Sequence, residues 1–152
     1  MRAASLTTPF CLERNNPILA AMAGDEPIRV VLVEDNDIFR EALELMLEVT
    51  PDIRVVAAVP DGEAALGVCT RAKPHVVLVD YRLPGLDGVQ TTAALRGACP
   101  EASVVVLTAH VEPGETQALL DAGAVACLRK DQGLDEIVGA IRDAAGRGAA
   151  IG

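Results

Sequence analysis

The feature that most constrains this chain is a short apolar run that ends in an aspartate, since residues 75–80 read His-Val-Val-Leu-Val-Asp. An uninterrupted valine-rich run of this length is typical of a strand that is buried on both faces of a sheet. The Pro84-Gly85 pair that follows predicts a turn. We therefore expect Asp80 at the carboxyl end of a central strand, where open α/β sheets carry their ligand sites.

Similar apolar runs recur along the chain and alternate with segments of helical periodicity. The predicted strands are residues 28–33, 53–59, 75–80, 103–108 and 125–128. The predicted helices are about 37–49, 62–72 after a cap at Asp61, 88–97 after a cap at Asp87, 113–123, and from 131 or 133 to about 145. Five strand–helix units in so short a chain predict a parallel sheet with helices on both faces.

Composition limits the class of protein. A length of 152 residues fits one domain, and a hydrophobic content of 51% with only 2% aromatic residues predicts an aliphatic core. The net charge of −9 argues against direct nucleic-acid contact, which requires clustered Lys and Arg. We find no run of membrane-spanning length and no signal peptide, so we expect a cytoplasmic protein. The spacing of the four cysteines matches no metal motif, so reduced thiols are expected.

Charged side chains follow three of the predicted strands. Glu34 and Asp35 come after the first strand, Asp80 ends the third, and Lys130 comes after the fifth. The carboxyl ends of parallel strands share one edge of a sheet, so these groups should meet. Carboxylate oxygens suit a divalent cation, and a lysine ammonium suits a phosphoryl group. The sequence therefore predicts a site for a cation and a phosphoryl group.

Four segments together carry a family resemblance: residues 33–36, Val-Glu-Asp-Asn; 79–88, from Val-Asp-Tyr to Leu-Asp-Gly; 106–109, Val-Leu-Thr-Ala; and 124–131, which ends in Leu-Arg-Lys-Asp. The chain resembles a receiver domain of a two-component response regulator, of the NarL/FixJ type with a helix-turn-helix output. The resemblance implies a flavodoxin-like (βα)5 three-layer sandwich with strand order 2-1-3-4-5. It implies a receiver domain over residues 27–148, after an irregular extension over 1–26 and before a short tail over 149–152.

The resemblance also implies roles for single residues. Asp80 matches the phosphoacceptor, and a carboxylate can form a covalent phosphoryl intermediate. The Mg²⁺ shell would take Glu34, Asp35, Asp80 and the backbone carbonyl of Arg82. The switch and phosphoryl-binding positions are Thr108, Ala109 and Lys130. Each has a plainer explanation: Asp80 as a turn cap, Asp35 as a helix cap, Thr108 as a β-branched strand end, and Lys130 as a solvated side chain.

Two departures from the family pattern stand out. Cys127 lies three residues before Lys130, where the family usually has Tyr or Phe as part of the switch. A small thiol cannot swing in and out of a pocket as a ring does, so we expect a weaker coupling to Thr108. The chain ends at Gly152 soon after the fifth helix, so the resemblance implies either a stand-alone receiver or the front part of a longer regulator with its output domain absent.

The function implied is phosphoryl acceptance from a sensor histidine kinase, with control of transcription through a separate or missing DNA-binding output, and not an enzymatic activity. Alternatives are a stand-alone receiver that acts by protein contact, a receiver-like domain used only for dimerisation, and a small phosphatase of the haloacid-dehalogenase type. The last would require a second acid where Arg82 stands. A homodimer through the first and fifth helices is also expected, with apolar residues that include Ile38, Leu45, Ile137 and Ile141.

Overall fold

The structure, a computed structural model, describes residues 26–110 and 112–146. Five parallel strands form one sheet in the order β2-β1-β3-β4-β5. The strands are β1 (Ile28–Val33), β2 (Ile53–Val59), β3 (Val76–Asp80), β4 (Ser103–Thr108) and β5 (Ala126–Arg129). The helices are α1 (Asp37–Glu48), α2 (Gly62–Ala72), α3 (Gly88–Ala98), α4 (Pro113–Ala122) and α5 (Leu134–Ala144). The predicted flavodoxin-like fold and its strand order are confirmed.

The sheet lies between two helical layers because successive strand side chains point to opposite faces. One face packs against α2, α3 and α4, and its buried cluster includes Val31, Val77, Val79, Val104 and Val106. The other face packs against α1 and α5, with a cluster that includes Val30, Leu32, Leu78, Val105 and Leu107. The buried hydrophobic side chains are aliphatic or small, in agreement with the low aromatic content.

Helix caps determine where several helices begin. The side chain of Asn36 caps α1 by accepting from the N–H of Phe39 at 2.8 Å. Asp61 caps α2 in the same way, and Asp87 forms a reciprocal capping box with Gln90 at the start of α3. Gly123 ends α4 with a φ of +117°, a conformation that glycine adopts without steric cost. Because Asn36 provides the cap of α1, Asp35 is left free of that role.

Where the predicted boundaries differ from the observed ones, the difference is one to three residues. β3 begins at Val76 because His75 only flanks the strand, and β5 is shifted by one residue to Ala126–Arg129. α5 begins at Leu134, so Gly133 is its cap and a start at Asp131 was wrong. Of the expected extension over 1–26 only Glu26 is described, and the expected tail over 149–152 lies outside the described residues.

One expectation about the surface was wrong. Ile137 and Ile141 are buried in the α5 side of the core, with exposures of 4% and 0%, so they cannot contact a partner. Ile38 and Leu45 on α1 are exposed at 81% and 69%, as a contact surface requires. The physical reason is that Ile137 and Ile141 belong to the apolar stripe by which α5 packs against the sheet. In α1 the buried residues that pack there are Leu43 and Leu47, so the other apolar side chains stay on the surface.

Two glycines of α3 make a matched test of the packing beside Asp80. A β-carbon at Gly88 would lie 2.8 Å from Tyr81 Cα and 3.0 Å from its carbonyl oxygen, whereas one at Gly97 would meet nothing within 4 Å. We expect Gly88→Ala to lower the free energy of unfolding by about 2 kcal/mol, because the backbone at Tyr81 or at Gly88 must move to make room for the β-carbon. Gly97→Ala should raise it by up to about 1 kcal/mol. Urea unfolding of both variants measures this, and equal effects would contradict the close approach.

Candidate functional site

Backbone pairing carries the charged residues to one edge of the sheet. The N–H of Glu34 donates to the carbonyl of Val59 at 3.0 Å, one residue beyond β1. The N–H of Lys130 donates to the carbonyl of Thr108 at 2.8 Å, one residue beyond β5. Asp80 is the last residue of β3 and pairs with Leu107 of β4. These side chains are therefore positioned by the sheet and not by flexible loops.

Three carboxylates converge at this edge. Glu34, Asp35 and Asp80 each offer an oxygen, and these atoms all lie within 4.8 Å of one another. Glu34 is 3% exposed and Asp80 is 6% exposed, whereas Asp35 faces solvent. Hard oxygen donors at this spacing, with one open side, fit a Mg²⁺ ion that keeps several of its waters. The residues present thus fit the cation that the sequence predicts.

The Lys130 ammonium lies among these carboxylates. Its Nζ atom is 2.8 Å from Glu34 Oε1 and 3.4 Å from Asp80 Oδ2. The lysine side chain is 23% exposed, whereas the carboxylate side chains are 4% and 7% exposed. A charge removed from water is costly unless it is paired, so the ammonium offsets part of the repulsion between the buried acids. One positive charge nevertheless faces three negative ones.

The first turn of α1 supplies contacts that sequence reasoning missed. The N–H of Asn36 donates to Glu34 Oε2 at 2.9 Å, which fixes that carboxylate. Arg40 donates to the carbonyl of Glu34 at 2.7 Å and to Asp37 at 2.6 Å. The Phe39 ring centroid lies 4.5 Å from Lys130 Nζ. The available signal was spacing, since residues one helical turn beyond an acidic pair fold back over it.

The surroundings shift the pKa values of the central pair. Burial, and then the neighbouring Glu34 charge, raise the pKa of Asp80 from 3.8 to about 6 against the opposing effect of Lys130. Burial alone would lower the pKa of Lys130, but its contacts with Glu34 and Asp80 outweigh burial and raise it. Lys130 therefore stays charged at neutral pH, and Asp80 is an unusually basic carboxylate.

The remaining predicted site residues lie in β4 and β5 or within two residues of the ends of β3 and β4. The N–H of Arg82 donates to Asp80 Oδ1 at 3.3 Å. The buried Thr108 hydroxyl donates to the carbonyl of His110 at 2.7 Å, so it is engaged by its own loop, and Ala109 beside it is exposed. Cys127 is half-buried on β5, where burial and the Glu115 charge raise its thiol pKa. The Thr108 hydroxyl would have to leave the His110 carbonyl to contact a group bound to Asp80.

The shifted pKa of Asp80 predicts a pH-dependent stability in metal-free buffer. A carboxyl whose pKa is raised by folding favours the folded state while protonated, and this contribution is lost as the pH rises from about 4 through about 6. Asp80→Asn should therefore increase the free energy of unfolding by about 2 kcal/mol near pH 7 and by much less near pH 4. Urea unfolding with a chelator present, across this pH range, measures the difference.

Asp61→Asn is the matched control, because asparagine caps a helix as well as aspartate does and Asp61 lies outside the carboxylate cluster. Its stability difference from the wild type should not follow the Asp80 profile. A difference for Asp80→Asn that stays constant over the whole pH range would contradict the raised pKa.

Comparisons with known proteins agree with this architecture. Residues 30–142 match the response regulator receiver domain family. The chain is 39% identical over 120 residues to the probable transcriptional regulatory protein NarL of Mycobacterium tuberculosis. The aligned segment covers 79% of this chain and 56% of that protein. It is 38% identical over 115 residues to the response regulator GacA of Pseudomonas protegens, over 76% of this chain and 54% of that protein. The chain thus spans about half the length of these curated relatives.

Solved structures show the same fold. The signal receiver domain of NarL from M. tuberculosis superposes with a TM-score of 0.76 at 39% identity, over 80% of this chain and 98% of that one. A second similar structure is the receiver domain of the sensor histidine kinase PA1611 from Pseudomonas aeruginosa, which has a magnesium ion coordinated in its active-site cleft. It superposes with a TM-score of 0.71 at 30% identity, over 79% of this chain and 98% of that one. This chain therefore belongs to the response regulator receiver domain family of two-component systems.

Proposed function

We propose that Asp80 accepts a phosphoryl group from a sensor histidine kinase in the presence of Mg²⁺. The observation that carries the proposal is the convergence of Glu34, Asp35 and Asp80 within 4.8 Å, with the Lys130 ammonium 3.4 Å from Asp80. A signalling carboxylate needs a nucleophilic oxygen and positive charge for the incoming phosphoryl oxygens, and both are present at this edge of the sheet.

In the proposed step a carboxylate oxygen of Asp80 attacks phosphorus, and the bond from phosphorus to the donor's leaving group breaks as the new bond forms. A bound Mg²⁺ would supply charge neutralisation for the phosphoryl oxygens. Lys130 pairs with one phosphoryl oxygen, and Glu34, Asp35 and Asp80 would hold the cation. The Arg82 carbonyl is proposed as a further ligand, and Thr108 as the hydroxyl that turns toward the product from its bond to His110.

Replacement of the acceptor tests this proposal. Asp80→Asn should abolish labelling by radioactive acetyl phosphate in the presence of Mg²⁺, because an amide keeps the shape of the side chain but is not a nucleophile. Asp61→Asn carries the same chemical change at a helix cap and should be labelled at the wild-type rate. Acid-stable, base-labile phosphate on the wild type and none on Asp80→Asn is the expected result. Labelling of Asp80→Asn at the wild-type rate would show that another residue is the acceptor.

The cation requirement is tested by calorimetric titration of Mg²⁺. Asp35→Ala should weaken Mg²⁺ binding at least tenfold, because a solvent-facing carboxylate of the cluster is lost. Glu34→Ala should have a smaller effect, and a chelator should stop labelling of the wild type. Asp37→Ala, which removes an exposed carboxylate outside the cluster, is the control. Equal Mg²⁺ affinity in the wild type and in Asp35→Ala would remove Asp35 from the site.

Transcription control is proposed as the output. Relatives that match this chain include transcriptional regulatory proteins, of which it spans about half. The net charge of −9 disfavours DNA contact by this domain itself, so a DNA-binding output elsewhere would read its state. None of the helices in the described part of the chain has the length and apolar character of a bilayer span. We propose a cytoplasmic location and no catalytic role beyond phosphoryl acceptance and its reversal.

The proposed contact surface for a second copy is α1 together with the exposed part of α5. Ile38 and Leu45 of α1 and Val49 at its C-cap are exposed at 81%, 69% and 71% and follow one stripe of the helix. Because Cys127 replaces the ring of the usual switch, we propose that phosphorylation changes the α4–β5 side only weakly. Self-association would then depend on α1 more than on α4.

A single exposed side chain tests the α1 surface. Leu45→Ser should weaken self-association measured by sedimentation velocity, because it removes apolar area from the centre of the stripe. Val125→Ser is the control, since Val125 is also exposed, at 52%, but precedes β5. A wild type that remains monomeric at high concentration, or equal losses in both variants, would contradict the proposed surface.

A further inference from the structure

The Lys130 ammonium has an aromatic neighbour as well as its two acidic ones. Its Nζ atom lies 4.5 Å from the centroid of the Phe39 ring, within the range of a cation–π contact. Phe39 is in the first turn of α1, four residues after Asp35 of the acidic cluster. Lys130 is therefore held by Glu34, by Asp80 and by the face of this ring.

These three contacts respond differently to a divalent cation. Glu34 and Asp80 are partners of Lys130 and are also members of the cluster that fits a cation. A cation that takes their oxygens weakens both ion pairs and repels the ammonium. The ring carries no net charge and offers no metal ligand, so its attraction for the ammonium remains when the carboxylates are occupied.

Packing alone does not explain a ring at this position. The buried core is built from aliphatic and small side chains, and the chain contains only two phenylalanines, of which Phe39 is the one among the described residues. Phe39 is half-buried at the margin of the α1–α5 cluster, where a leucine would also cover apolar surface. The property that leucine lacks is the negative face of the ring.

We propose that Phe39 is a positioning residue for Lys130. Its ring keeps the ammonium beside Asp80 after Mg²⁺ occupies Glu34 and Asp80, so the charge is in place when the phosphoryl group arrives. This inference rests on the proposed function for the identity of the reaction, but the position of the ammonium over the ring can be measured without any phosphoryl transfer.

The sequence makes that measurement simple, because the chain has only two lysines, Lys73 and Lys130. In protein labelled with ¹³C-lysine, the ε-methylene protons of Lys130 should resonate upfield of those of the exposed Lys73, owing to the ring current of Phe39. The upfield shift should persist at saturating Mg²⁺. The upfield shift should be absent in Phe39→Leu and present in Phe39→Tyr, because tyrosine keeps an aromatic face at this position.

Two results of this experiment would overturn the proposal. One is an upfield shift in the wild type that disappears when Mg²⁺ binds, since the ammonium would then have left the ring. The other is a shift that is unchanged in Phe39→Leu, since its origin would then lie elsewhere. Because a ring current reports only that the lysine lies over the ring, the persistence of the shift at saturating Mg²⁺ is the result that separates positioning from proximity in the metal-free state.

A kinetic measurement addresses the consequence for the reaction. At saturating Mg²⁺, Phe39→Leu should be labelled by acetyl phosphate about fivefold more slowly than the wild type, and Phe39→Tyr should recover most of the rate. Val55→Ala is the control, because Val55 packs against the same cluster from β2. An equal loss of rate in Val55→Ala and Phe39→Leu would assign the effect to packing and refute the positioning role.

The two proposals fail in distinguishable ways. A wild type that takes no label on Asp80 would contradict the proposed function, whereas the lysine signals would still decide whether the ring holds the ammonium. Normal labelling of the wild type, with an unchanged rate in Phe39→Leu, would contradict the positioning role alone.

Discussion

Two buried carboxylates share a single ammonium at the end of the sheet. The fold must hold these like charges close together although the positive charge beside them is smaller than the negative charge. Glu34 and Asp80 are almost fully enclosed, and Lys130 supplies the close positive charge. A site with this deficit of positive charge favours any cation or proton that reduces it. Burial, and then the neighbouring Glu34 charge, raise the pKa of Asp80 to about 6. The same deficit supports the proposed binding of Mg²⁺ and the proposed change of charge on Asp80.

The scaffold that holds this group is simple because its strands are nearly all aliphatic. The runs of valine, isoleucine and leucine in β1, β3 and β4 are buried from both sides, so the register of these central strands cannot slip without exposing apolar surface. The edge strand β5 is positioned by its backbone pairing with β4. The acidic and basic side chains are positioned by these strand ends and not by additional loops.

The sequence was sufficient for the fold and for the convergence of the acidic side chains and Lys130 at one edge of the sheet, and insufficient for what surrounds them. Buried valine runs have a clear pattern, so β1, β2 and β4 were predicted at their observed bounds, and the charged residues at the strand ends followed from parallel topology. The contacts of Phe39 and Arg40 depend on how α1 turns over the acidic pair, which periodicity does not report. The wrong placement of Ile137 and Ile141 on a contact surface has the same origin, since an apolar stripe does not reveal whether a sheet or a partner covers it.

The position of Tyr81 has a practical consequence. It is the only tyrosine in a chain without tryptophan, it directly follows Asp80, and its carbonyl accepts the N–H of Gly88 at 2.8 Å. Ultraviolet fluorescence excited at the tyrosine band therefore originates within one residue of the carboxylate. The molecule carries an intrinsic optical reporter beside the carboxylate cluster, with no tyrosine or tryptophan background from the rest of the chain, so binding at this edge can be followed in unlabelled protein.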